Sequence, residues 1–122
     1  VDLDAEDLQV ILTGYRPTGT DIKVYMKPQN AFDAATFDDI DWVELELFEG
    51  VGVFSSTANI FDYREFKYRV PEGNKDSNGV LTYTSTSGEF SSYRRFSIRI
   101  DMLAENTYNV PTLKDYRALA LT

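Results

Sequence analysis

At 122 residues the chain has the length of a single domain, 1–122, and folding at that size buries roughly two-thirds of the unfolded surface. Twenty Asp and Glu against twelve Lys and Arg leave a net charge of −8, which disfavours nucleic acid as a partner; the absence of Cys and His removes disulfides, thiolate nucleophiles and the commonest general base and metal ligand. No apolar run of roughly 18 residues and no basic-then-apolar leader is present, so neither a membrane span nor a signal peptide is expected.

Residues 8–13 alternate, with Leu8, Val10 and Leu12 on one face, and predict a strand. After the turn-rich Arg16-Pro-Thr-Gly-Thr, the residues Ile22, Val24 and Met26 oppose Lys23, Tyr25 and Lys27 until Pro28, so the two segments read as a hairpin. Residues 29–41 hold no sustained period and carry Asp33, Asp38, Asp39 and Asp41, which predicts a long loop with room for one helical turn. Over 42–48, Val43, Leu45 and Leu47 oppose Trp42, Glu44, Glu46 and Phe48, one strand with its aliphatic side inward. Gly50 and Gly52 then offer a bulge or a tight bend.

Arg64, Phe66, Tyr68 and Val70 alternate with Tyr63, Glu65, Lys67 and Arg69 until Pro71 stops the strand. The stretch Asn74-Lys-Asp-Ser-Asn-Gly is a turn, and the Thr-rich residues 80–86 are β-prone. Arg94, Phe96, Ile98, Ile100 and Met102 then alternate with Tyr93, Arg95, Ser97, Arg99 and Asp101, the pattern of a half-buried strand. A Val110-Pro111 step leads into a closing apolar strand. About seven short strands, each with one greasy face, require a second layer, so the expected fold is an all-β antiparallel sandwich, jelly-roll-like in topology. The initial Val1 and a last strand running into the terminus suggest a piece of a longer chain.

Asn74-x-Asp76-x-Asn78-Gly79 copies the first half of a calcium-binding loop, but the closing bidentate Glu would fall at Ser85. A solvated turn, with Asn78-Gly79 supplying positive φ, is the simpler reading, and no metal site is assigned. The acids of the 29–41 loop are either solvated or a converging set that holds a hard cation or does paired-carboxylate chemistry. Trp42, with the outward Tyr25 and Tyr63, reads either as a sugar-stacking platform or as core and subunit contact; Phe37 and Asp39 of the adjoining loop join them as interface or glycan candidates. Arg94, Arg95 and Arg99 read either as an anion-recognition set or, more simply, as cross-strand partners of Glu44, Glu46 or Glu65. The serines at 55–56 and 91–92 have neither His nor a Ser-x-x-Lys spacing to take their proton, so no catalytic residue and no cofactor is assigned.

The ending, Tyr-Arg-Arg-Phe-Ser-Ile-Arg-Ile-Asp-Met-Leu over 93–103, then a polar turn, Val-Pro, and a strand with an Asp-x-Arg-Ala-x-Ala centre at 115–120, resembles the ending of virion structural proteins of contractile-tailed bacteriophages. Baseplate, tail-fibre and neck-associated chains carry it. Residues 20–27, 37–45 and 64–69 extend the likeness over most of the chain. The resemblance implies a non-enzymatic β-sandwich module of the virion, near the baseplate, neck or fibre attachment. Its implied partners are other virion subunits, including further copies of itself, with no membrane or nucleic acid involved. The rival expectation is a carbohydrate-binding module for host-surface glycans built on Trp42 and the 29–41 loop.

Overall fold

Residues 4–105 and 110–122, described here from a computed structural model, form β1 (Asp7–Tyr15), β2 (Thr20–Gln29), β3 (Val43–Glu44), β4 (Glu46–Glu49), β5 (Arg64–Arg69), β6 (Thr82–Ser85), β7 (Gly88–Ser91), β8 (Arg95–Ala104) and β9 (Thr112–Leu121). One antiparallel sheet has the order β4-β5-β1-β9 and a second has the order β3-β2-β8, while β6 and β7 form a separate hairpin. The sheets share one core. Leu8, Val10, Leu12, Phe66 and Tyr68 from the first meet Ile22, Val24, Met26 and Val43 from the second. These are the inward rows that the alternation predicts, because successive strand side chains point to opposite faces. The Tyr68 hydroxyl crosses the interior and donates to the Ile22 carbonyl at 2.7 Å.

The architecture is the expected all-β sandwich. The first and last strands pair along their length, and inside them β2 pairs with β8 over ten residue positions, the nested arrangement of a rolled, jelly-roll-like ribbon. The expected helical turn is a single 3-10 turn at Phe37–Asp39. The bend after β4 uses Gly50 and Gly52 at φ of 95° and 74°, beside a register irregularity between Leu47 and Glu49.

Four expectations are corrected. β1 and β2 are not a hairpin: they lie in different sheets, and Arg16-Pro-Thr-Gly-Thr is a corner between layers. Ser55 holds that corner from both sides, its hydroxyl accepting from Arg16 N and its own N–H donating to the Arg16 carbonyl. The segment 42–48 is two strands instead of one. Leu45 N donates to the Val24 carbonyl of β2, and the next residue, Glu46, already faces Arg69 of the other sheet. Pro28 does not close β2, which continues to Gln29; the short β3 pairs with β2 only at Tyr25 and Met26, so no ladder bond is lost there. Tyr93 is not outward. It precedes β8, is buried, and donates to the Asp7 carbonyl at 2.8 Å. The polar turn expected before Val110 falls on 106–109, outside the described residues, as does Val1.

Candidate functional site

On the outer face of the β3-β2-β8 sheet, Tyr25 stands opposite Arg99, and Gln29 opposite Arg95. The loop after β2 crosses this face, bringing Phe37 in on its 3-10 turn and Trp42 just ahead of β3. The result is an alternating row of cations and rings. Arg95 lies 4.2 Å from the Phe37 ring centre; Lys27 Nζ lies 5.2 Å from Phe37 and 4.9 Å from Trp42; Arg99 lies 5.1 Å from Trp42 and 4.2 Å from Tyr25. Such contacts attract through the negative face of the ring, more strongly where water is excluded. Lys27 is buried and has no carboxylate within ion-pair distance among the described residues, so the rings are its counter-group.

Three sequence candidates, Tyr25, Phe37 and Trp42, therefore share one face. Tyr63 does not join them: it lies against Lys114 on the other sheet, its ring centre 5.0 Å from Nζ. Asp39 is exposed on the 3-10 turn. Trp42 is half-buried, and its contacts are with Lys27 and Arg99 rather than with the core.

The loop acids do not converge. Asp38, Asp39 and Asp41 are exposed, and among the described residues no group of three acids is arranged to hold a metal ion. Asp33 has a different fate, which spacing could not show. It is buried and accepts from Tyr83 Oη at 2.7 Å, Ser85 Oγ at 2.9 Å, Ser87 Oγ at 2.5 Å and Ala35 N at 2.9 Å. Burial alone would raise its pKa, but the bonds from Ser87, Tyr83, Ala35 and Ser85 outweigh it and hold the carboxyl at about 2. Asp33 thus sews the loop to the β6-β7 hairpin. Asp76 closes its turn by accepting from Asn78 N and Val80 N, with Gly79 at φ 78°, as the solvated-turn reading has it.

The arginine partners also differ from expectation. Arg94 pairs with Asp4 and Arg99 with Asp101, while Glu44 pairs with Lys23, Glu46 with Arg69 and Glu65 with Lys67. β8 sits on the far side of β2 from β3, and β4 and β5 are in the other sheet, so those glutamates are out of its reach. Arg16 was missed. It is buried, stacks on Phe54 and Phe66, and is tied to Asp21 at 3.2 Å.

The remaining feature is an open side. β8 and β9 are edge strands of the two sheets. Register puts Phe96, Ile98, Ile100 and Met102 on the face of Ile22, Val24 and Met26, and Tyr116, Ala118 and Ala120 on the face of Leu8, Val10 and Leu12. The partners on β1 and β2 are buried. On the edges, Met102 remains 47% exposed and Tyr116 51%, and Phe96, Ile98 and Ile100 are only half-covered. An apolar cleft of about 460 Å³ between Tyr15, Ile60, Phe61, Tyr63, Val110 and Leu113 adds Phe61, 70% exposed. Compared with family models, with curated proteins and with solved structures, the chain matches none.

Proposed function

We propose that this chain is a non-enzymatic structural module of a tailed-phage virion, placed at the baseplate, neck or fibre-attachment region, and that it acts by offering its open side to a neighbouring subunit. One observation carries the reading: the residues that resemble virion proteins over 93–103 and 115–120 are those of β8 and β9, the edge strands whose inward-facing apolar rows are only partly buried, with Met102 and Tyr116 exposed. Unpaired strand edges with half-buried apolar rows are natural docking sites, since a partner completes both the ladder and the core. The glycan reading loses ground, because cations lie against Phe37, Trp42 and Tyr25 and because Tyr63 lies apart from them.

The test is particle incorporation. Peptides of this chain should be found by mass spectrometry in purified tailed particles, and Met102→Lys with Tyr116→Lys should leave the domain folded by circular dichroism while lowering its incorporation. Absence of the chain from particles, or saturable glycan binding by an isolated domain whose open side stays bare in the particle, would sink the proposal.

A further inference from the structure

We infer that the partner of β8 is a second copy of this chain, joined edge to edge by antiparallel β8–β8 pairing about a twofold axis through Ile100. The inference rests on the contact-module reading and names its partner and register.

The backbone already has the required alternation. Glu105 N donates to the Gly19 carbonyl at 3.1 Å, one step beyond the Thr20–Ala104 pair, so odd-numbered residues of β8 turn their polar groups toward β2. On the other side of β2, Leu45 N donates to the Val24 carbonyl, the even-numbered counterpart of the same alternation. The even residues of β8 therefore point their N–H and C=O groups at its free edge, where no strand pairs among the described residues.

Charge selects the register. Centring the pair on Ile100 opposes Arg99 to Asp101 and Arg95 to Glu105, each twice by symmetry, with no like charges opposed. The same register matches Ile100 with itself and Ile98 with Met102 on the inward face, and it puts even residues opposite even ones, as hydrogen-bonded pairs require. Centring on Arg99 would oppose two guanidiniums across the axis, and centring on Ile98 would leave Arg99 facing Ser97. Within one chain the Arg99 guanidinium stacks on Tyr25 and Trp42, and its Nε lies 3.5 Å from Asp101 Oδ1 without a hydrogen bond, which leaves it a hydrogen-bond donor to offer a partner's carboxylate. β9 is the poorer edge for such pairing, because the register shift at Thr13/Gly14 leaves Lys114 as an extra residue in its strand. The dimer would fuse two β3-β2-β8 sheets into one continuous sheet and cover Ile98, Ile100 and Met102 on both copies. The net charge of each copy opposes association, so the contact is weak in isolation and the ion pairs fix orientation more than strength.

The experiment is a charge exchange read by sedimentation velocity. The intact chain should dimerise as concentration rises. R95E/R99E and D101R/E105R should each self-associate roughly tenfold more weakly or not at all, and their equimolar mixture should form a heterodimer because every opposed pair again carries opposite charges. A register probe needs no acidic variant to fold: Ile100→Cys should give a disulfide-linked dimer on mild oxidation, since residues opposed across a hydrogen-bonded pair lie about 5.5 Å apart at Cα, whereas Ile98→Cys should not. Cross-linking at 98 instead of 100, no recovery on mixing foldable variants, or a monomer at every concentration would overturn the inference. A monomer whose β8 is covered by a different chain in the particle overturns the second-copy partner and leaves the assembly proposal standing. A dimer formed by a chain absent from particles does the reverse.

Discussion

Acid should destabilise this domain partly through one carboxyl. Asp33 sits at about 2 in the folded chain, against about 3.9 for an unfolded Asp, because the bonds from Ser87, Tyr83, Ala35 N and Ser85 outweigh its burial. The gap is near two units, and at about 1.4 kcal/mol per unit, reduced by solvent screening, the ionised Asp33 contributes about 1–3 kcal/mol at neutral pH. The folded value is the lower one, so this stability is complete above the unfolded pKa and disappears as pH falls from about 4 toward about 2. Urea melts of the natural chain and of Asp33→Asn, run from about pH 6 down to about pH 2 with a common slope, measure it by difference. Other carboxyls cancel, including Asp62, which bonds from Arg64 and Ser56 N hold low in both proteins. The stability gap should shrink by about 1–2 kcal/mol over that range. A gap independent of pH, or an Asp33 carboxyl titrating near 4 by NMR, would refute the account of the hydroxyl cradle.

At the alkaline end, burial pushes Tyr68 and Tyr83 up to about 12, the Asp33 carboxylate adding to the rise at Tyr83, and burial raises Tyr93 as well. Their stability contribution is complete below about pH 10 and lost as pH climbs through the folded values, so ultraviolet titration should show these phenols ionising late and together with unfolding. Tyr68→Phe removes the bond to the Ile22 carbonyl, which β3 does not reach, and should cost about 1–3 kcal/mol in denaturant melts; a neutral result would mean that water replaces the hydroxyl. At Gly50, φ is 95° and an added Cβ would lie 2.7 Å from Phe66 Cδ1 and 2.9 Å from the Glu65 carbonyl oxygen, whereas at Gly52 nothing lies within 4 Å. Gly50→Ala should therefore lose about 2–3 kcal/mol and Gly52→Ala about 1 kcal/mol by thermal melting, and equal losses would show that backbone strain alone matters.

Alternation at Leu8-Val10-Leu12, Ile22-Val24-Met26 and Phe66-Tyr68-Val70 determined the β class, the inward faces and the positions of most turns, because the period-two placement of side chains is a property of each strand by itself. The same pattern marks a face that must be covered without saying what covers it. Only tertiary structure decided that Arg16-Pro-Thr-Gly-Thr is a corner between sheets, that Leu45 is the last residue of 42–48 bonded to β2, and that Asp33 is buried under hydroxyls while Asp38, Asp39 and Asp41 stay in water. Tyr25, Phe37 and Trp42 share a face with Lys27, Arg95 and Arg99 only through the β2–β8 register, which also leaves the Phe96-to-Met102 row at an edge. Strand order and register come from hydrogen bonds between segments far apart in the chain. A local period carries no information about which distant segment supplies them.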